Sequence, residues 1–261
     1  MKIVALTHPY SNTGIRYLSQ IKTLQDLGIR LVFVSFGGVG FFAERVKRQL
    51  RIMRRKGVVA YVQWRQMRRQ ASVYKREVEE QVDQLWNDGL FPRFDLRIDQ
   101  VFNGFSNAAI RYIQSENPEF LYQVGAGIIP KHFIEQVPPI LNLHPAILPG
   151  VRGHDPVFWT HYYGLEACLG STLHLIDERI DTGQPLLRMR FEPKIGIHYA
   201  DSIKRQIIME RELLKLFFNN YPDKYAQYDM GGSNISIYRS FWSRQQYEEL
   251  QKANWWKARD I

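Results

Sequence analysis

Three side chains in this sequence have types and spacing suited to acyl chemistry: Asn142, His144 and Asp181. Asn142 and His144 stand two apart at the end of the apolar run Ile140-Leu-Asn-Leu-His, so on a strand both point to one face of a sheet. Pro145 breaks the run, and Ala146-Ile-Leu-Pro-Gly-Val-Arg-Gly153 reads as a turn-rich loop leading into an aromatic helix. Asp181 lies on a Gly/Pro turn, Ile176-Asp-Glu-Arg-Ile-Asp-Thr-Gly-Gln-Pro185, after the next apolar run. Attack on an acyl carbon builds negative charge on the carbonyl oxygen. An Asn142 N–H can donate to that oxygen, and a protonated His144 can add charge. One proton must leave the attacking group and another must reach the leaving nitrogen, work that suits an imidazole. Asp181 can fix the imidazole's tautomer or hold a water that relays protons. The same residues also fit a structural role. An Asn-x-His pair before a proline can satisfy buried backbone groups, and Asp181-Thr-Gly can form an Asx-turn.

The elements that must position these residues follow from hydrophobic pattern. Lys2 to Thr7 is apolar and β-branched, as in a strand buried on both faces. Ser11 or Asn12 offers an N-cap for a helix marked by Ile15, Leu18, Ile21, Leu24 and Leu27 and stopped at Gly28. Ile29 to Phe36 is a second strand. Strand, helix and strand in so short a span form a βαβ unit, hence a parallel sheet with a right-handed crossover. Val101-Phe-Asn-Gly ends a short strand, Ser106 to Glu116 is a helix, and Glu119 to Gly127 holds another strand. Its closing Gly125-Ala-Gly127 lets backbone approach a ligand. Ile128 to Gln136 is a short helix, Val157 to Tyr163 the aromatic one, and Gly170 to Ile176 and Pro185 to Phe191 are strands. Asp201 to Phe218 is amphipathic, with Ile203, Ile207, Ile208, Leu213, Leu214 and Phe217 on its apolar face. The expected architecture is α/β and Rossmann-like, a mostly parallel central sheet flanked by helices. A catalytic domain spans 1–195, with a basic helical insert at 41–90. Residues 196–261 form a helix and an aromatic-rich extension packed on the core.

Composition narrows the function class. The single cysteine, Cys168, leaves no internal disulfide, fits a reducing cytoplasm and argues against zinc. The N-terminus reads as a first strand rather than a signal peptide, and no apolar run approaches the roughly 20 residues of a bilayer span. Formal net charge is +9, yet Arg45 to Arg76 holds 12 Lys/Arg and no Asp/Glu, which leaves the remainder near −3. That insert is either a solvated helical hairpin, broken near Lys56-Gly57, or a surface for the phosphates of a nucleotide-linked substrate, a nucleic acid or a lipid headgroup. No zinc-finger spacing, RNP-like motif or leucine heptad supports specific nucleic-acid readout. A G-x-G-x-x-G fingerprint is absent after the first strand, so a dinucleotide cofactor is not expected.

Asn142-Leu-His-Pro-Ala-Ile-Leu-Pro-Gly-Val-Arg-Gly153, with Gly170-Ser-Thr-Leu-His174 and Asp177-Glu-Arg-Ile-Asp-Thr-Gly-Gln-Pro185, resembles the formyltransferases that use 10-formyltetrahydrofolate. That family includes glycinamide ribonucleotide transformylase, methionyl-tRNA formyltransferase and sugar N-formyltransferases. The resemblance runs clearly from about Pro118 to Leu187. It implies that Asn142, His144 and Asp181 match the family's catalytic Asn, His and Asp. It also implies that the folate lies along Gly125, Ala126, Gly127, Ile128 and Ile129 and the loop through Ile180. Ala146 and Gln184 are mild departures from the family pattern. The missing glycine-rich loop weakens the glycinamide ribonucleotide reading, and the tail after Phe191 looks too short and too helical for the β-barrel of the methionyl-tRNA enzymes. The sugar branch resembles this chain best.

The expected reaction is formyl transfer from 10-formyltetrahydrofolate to a primary amine, such as an amino sugar on a nucleotide, in a cytoplasmic protein that could be a homodimer. Asn103 is expected to line the acceptor cleft. Arg152 would bind an anionic group or brace its loop, and His154 would contact substrate or sit on the surface. Phe158, Trp159, Tyr162 and Tyr163 are read as core or interface, and His174 as a packed structural histidine. The rivals are a hydrolase, with water as acceptor, and a basic binding module without chemistry. The enzyme and the binding module separate on one substitution. His144→Ala abolishes turnover of an enzyme while circular dichroism stays unchanged, whereas salt-sensitive binding through Arg45 to Arg76 would be untouched by it.

Overall fold

The β-branched and apolar run at the N-terminus forms strand β1 (Lys2–Thr7), buried along nearly its whole length. It leads into helix α1 (Ile15–Asp26) and strand β2 (Arg30–Gly37). Next come β3 (Gln100–Asn103), α2 (Asn107–Glu116), β4 (Phe120–Val124), α3 (Lys131–Ile134) and β5 (Ile140–His144). The chain continues through β6 (Val151–Gly153), α4 (Pro156–Tyr162), a 3₁₀ turn at Glu166–Cys168, β7 (Gly170–Leu175), β8 (Pro185–Arg190), α5 (Tyr199–Asn220) and β9 (Ile237–Arg239). This computed structural model describes residues 1–8, 14–37, 46–47, 49–55, 57–63, 65–66, 69, 76, 80, 96–191, 199–221, 237–239, 246 and 248–249. The expected linker at 86–92 and the aromatics Tyr228, Phe241, Trp242, Trp255 and Trp256 lie outside them.

Seven strands make one sheet in the order β3-β2-β1-β4-β5-β7-β8. The first five run parallel, and β7 runs antiparallel to both of its neighbours. The expected α/β architecture with a mostly parallel sheet is therefore the one found. The strand order reverses between β1 and β4, which puts a crevice at the carboxyl ends of those strands. One apolar cluster joins the inner faces of β1, β4, β5 and β7 to α1 and α5, through residues such as Ile21, Leu24, Leu141, Leu143, Leu213 and Phe217. A second cluster packs α2 and α3 on the opposite face through Ile110, Ile113 and Phe133. The amphipathic helix α5 thus shares the main core. Among the described residues no helix is long and apolar enough to cross a membrane.

Several local expectations are revised. The N-cap of α1 is Gly14, without a side-chain cap, so neither Ser11 nor Asn12 takes that role. Helix α3 is only four residues long and begins at Lys131, with Pro130 in extended conformation as its N-cap. Ile208 is 40% exposed and off the apolar face of α5, while Ser202, Gln206 and Glu210 are buried there. Val151–Gly153, read as loop, pairs in parallel with Ile237–Arg239 to form a second, two-stranded sheet. Such a pairing joins segments more than eighty residues apart and leaves no local signal. Phe158 and Trp159 are core residues, as expected.

Helix α4 also buries His161, whose Nε2 lies 2.7 Å from Ser202 Oγ on α5. Burial depresses this imidazole from its ordinary 6.5 to about 3, so it folds neutral. A histidine with a lowered folded pKa contributes full stability above the unfolded value of 6.5. It loses that contribution as pH falls from 6.5 toward about 3, by about 1.4 kcal/mol per pH unit. Differential scanning calorimetry should show Tm falling as pH is lowered below 6.5. His161→Gln, which keeps a hydrogen-bonding group at Ser202, should shallow that fall.

Candidate active site

Alternation along β5 sends Leu141 and Leu143 into the main core beside Leu173. Asn142 and His144 therefore occupy the other face, at the carboxyl end of the strand. In the antiparallel register with β7, Asn142 pairs with His174 and His144 with Thr172. The Asn142 Nδ2 group lies 3.0 Å from His174 Nε2. The other ring nitrogen, His174 Nδ1, lies 2.8 Å from the carbonyl oxygen of Leu175. A carbonyl only accepts, so the proton of His174 sits on Nδ1 and its Nε2 lone pair accepts from the Asn142 amide. Burial lowers the pKa of His174 to about 4, with the His144 charge adding to the effect and Asp181 opposing it. The ring is neutral at physiological pH. One of the two Asn142 amide N–H groups is thus committed to His174, and the second remains to donate elsewhere.

His144 is fixed in the same way. Its Nε2 lies 2.7 Å from the Val151 carbonyl oxygen on β6, so Nε2 carries a proton and donates it. A proton gained or lost by this ring then resides on Nδ1, which faces Asp181 Oδ1 at 3.5 Å. The same carboxylate oxygen is 3.8 Å from His174 Nε2. The other, Oδ2, accepts from the Gly153 N–H at 2.8 Å. Both β6 contacts come from residues flanking Arg152, so the short strand braces the imidazole and the carboxylate together.

Asp181 reaches this position from the β7–β8 connection, with its own backbone at φ 53°. The left-handed region is tolerable for Asp but otherwise uncommon, and here it turns the carboxylate inward. The Asx-turn of this loop belongs to Asp177, which accepts from the Arg179 N–H at 3.0 Å and the Thr182 hydroxyl at 2.7 Å. The structural alternative for Asp181 is therefore not the arrangement found. Gly183 presses so closely on β7 that an added Cβ would stand 1.8 Å from the Leu175 carbonyl oxygen. On the outer side, Lys131 Nζ bonds Glu178 Oε1 at 2.6 Å and ties α3 to this loop.

Beneath the site lies a buried polar network absent from the sequence reading. Arg16 Nε donates to both carboxylate oxygens of Glu210 at 2.8 Å, and Gln20 Nε2 donates to Glu210 at 2.7 Å. Tyr122 donates to Gln20 at 2.9 Å, and Ser171 to Glu210 at 3.2 Å. Gln206 Nε2 donates to the Gly170 carbonyl at 2.7 Å and also bonds Ser171 Oγ. Burial, the largest single influence, opposes the Arg16 charge, but Glu210 together with Tyr17 and Tyr122 offsets it and holds the guanidinium above its ordinary pKa. Arg16 also donates through Nη2 to the carbonyl of Leu143, the residue between Asn142 and His144. Carbonyls alternate along β5: Pro139 bonds toward β4 and Ile140 toward the segment after β7. That of Leu143 accordingly points to the β4 side, past the last β4–β5 pair at Tyr122 and Leu141. The guanidinium takes the place a strand would have filled. The signal for this network was present as polar residues at core-facing positions of α5, Ser202, Gln206 and Glu210, spaced four apart.

The structure joins Asn142, His144 and Asp181, and adds His174, which had been read as packing alone. Arg152 is half-buried on β6, and its Nε is buried without a hydrogen-bond partner among the described residues. His154 is exposed just beyond it. In the β4–α3 loop Gly125 and Gly127 have positive φ, and Gln123 Nε2 donates to the Gly127 carbonyl at 2.8 Å. Ala126 and Ile129 are buried and support that loop from within, whereas Ile128 is 58% exposed and Ile180 37%. Asn103 ends β3, four strand steps or about 19 Å along the sheet from β5. It shares the carboxyl edge with His144 without being a neighbour.

Residues 99–205 match the formyl transferase family. The methionyl-tRNA formyltransferase of Thermodesulfovibrio yellowstonii is 42% identical over 82 residues, covering 30% of this chain and 26% of that protein. The GDP-perosamine N-formyltransferase of Brucella melitensis is 29% identical over 119 residues, covering 38% of this chain and 46% of that protein. The chain therefore spans about a quarter to a half of the length of these relatives. Among solved structures, a sugar N-formyltransferase from Shewanella sp FDAARGOS_354 shares the fold, with a TM-score of 0.56 at 14% identity, covering 100% of this chain and 90% of that one.

The pair of a partly exposed Arg16 and a fully buried Glu210 makes an asymmetric prediction. Removing only the carboxylate, as in Glu210→Leu, strands the Arg16 charge and should cost about 3–5 kcal/mol in urea unfolding. The double variant Arg16→Met/Glu210→Leu should recover most of that loss.

Proposed function

We propose that this chain, which carries a formyl transferase domain across residues 99–205, moves a formyl group from 10-formyltetrahydrofolate to the primary amine of an amino sugar borne on a nucleotide. The observation that carries the reading is the meeting of Asn142, His144, Asp181 and His174 at the carboxyl edge of the sheet, inside the matched segment. The family match and the GDP-perosamine relative support the acceptor class.

The residues present suit a folate donor. A pterin ring would find the exposed Ile128 and Ile180, the backbone of Gly127 with open space before it, and that of Gly125 beside the Tyr17 ring. The Lys131–Glu178 pair holds these two loops together. The donor supplies an activated formyl carbon; the chain's own groups manage charge and protons. The second N–H of Asn142 donates to the formyl oxygen as negative charge grows there. His144 gains and releases a proton at Nδ1, as one proton leaves the amine and one reaches the nitrogen that gives up the formyl group. Asp181 keeps the imidazole oriented and stabilises its charged form. Neutral His174 adds no second positive charge and sets the direction of the Asn142 amide. The Arg152 guanidinium, whose buried Nε has no hydrogen-bond partner among the described residues, suits a phosphate of the acceptor, with His154 beside it. An extended acceptor could reach Asn103.

The test is a purified-protein assay with 10-formyltetrahydrofolate and a panel of nucleotide-linked 4-amino sugars, read by mass spectrometry for the formamide. Asn142→Ala should lower kcat about 10²–10³-fold by removing the oxyanion donor, with His144→Ala at least as damaging. Rapid formate release that no amine acceptor changes would overturn transfer in favour of hydrolysis.

A further inference from the structure

The residues on either side of Gly57 combine two features that the formyl-transfer site does not use. Residues 49–55 and 58–63 are helical, and Gly57 between them has φ 82°, a conformation that favours glycine. The two runs meet where the Tyr61 hydroxyl donates to Gln49 Oε1 at 2.8 Å, and Ile52 and Met53 are half-buried. Facing water are Val46, Leu50, Val58, Val59 and Val62, with exposures from 40% to 71%. Val58, Val59 and Val62 fall on one side of their helix. Exposed Arg51, Arg54, Arg55 and Arg65 stand among them, in a segment with 12 Lys/Arg and no acid between Arg45 and Arg76.

We propose that this helical hairpin docks on an anionic lipid bilayer surface, with arginines among the headgroup phosphates and the valine stripe in the headgroup–acyl boundary. The cationic excess calls for a polyanion, and exposed valines gain from a medium less polar than water. An anionic bilayer surface meets both demands at one depth. RNA phosphates answer the charge but leave the valines in water. A second copy of the chain would answer the valines but set two strongly cationic segments against each other.

The test is co-sedimentation of the full chain with phosphatidylcholine vesicles, with and without phosphatidylglycerol, alongside binding to a single-stranded RNA oligonucleotide. Binding should be at least about tenfold stronger to the anionic vesicles and should weaken with added salt. The variant Val58→Ser/Val59→Ser/Val62→Ser keeps every charge; it should lose about tenfold of vesicle affinity with unchanged circular dichroism and unchanged turnover. Absence of vesicle binding would overturn the proposal, whether the protein then holds RNA or forms a dimer that the serine variant dissolves. Vesicle binding indifferent to the three serines would also overturn it.

Discussion

The grip of Arg16 on the Leu143 carbonyl is the constraint from which the rest of the site follows. A strand end that carries two functional side chains needs its backbone held, and β5 runs past its neighbour β4 before reaching them. A parallel strand could not continue there without closing the crevice. A guanidinium can satisfy the carbonyl at the β4 edge while leaving the carboxyl end of the sheet open. Its charge is sustainable in the core only because Glu210, fully buried, meets it with both oxygens and is itself bonded by Gln20 and Ser171. Helices α1 and α5 are thereby locked to β5 and β7 by polar contacts of fixed direction, over an apolar cluster that fixes only distance.

Above that base, the imidazoles of His144 and His174 on neighbouring strands are driven apart in behaviour. Each has one ring nitrogen tied to a backbone carbonyl, which decides the tautomer. His174 turns its lone pair to an amide and is kept neutral by burial. His144 turns its other nitrogen to a carboxylate. What the second nitrogen faces, a carboxylate or an amide, is thus what distinguishes the two rings.

Much of this was legible in the amino-acid order. Runs such as Lys2–Thr7 and Ile140–His144 are strands because both faces are covered, and the two-residue spacing of Asn142 and His144 alone put them on one face. His174 was harder, since its partner depends on the antiparallel register of β5 with β7, a property of two segments together. Glu210 and Gln206 read as the polar side of an amphipathic helix until the helix is rotated onto its true face. Asn103 ends a strand as expected, yet the strand order places it far along the sheet, and order is decided by crossovers that local spacing does not record.

The small sheet of β6 and β9 bears on how such a chain can vary. Val151 and Gly153, whose backbone groups hold the imidazole and the carboxylate, pair with Ile237 and Arg239. The region after α5 is therefore more than an appendage that could be exchanged freely between relatives. Any replacement would have to lend a strand to the same edge, in the same direction, or leave the segment that braces His144 and Asp181 looser. Descent in this fold would then bind the history of the tail to that of the candidate site, although the paired segments lie more than eighty residues apart along the chain.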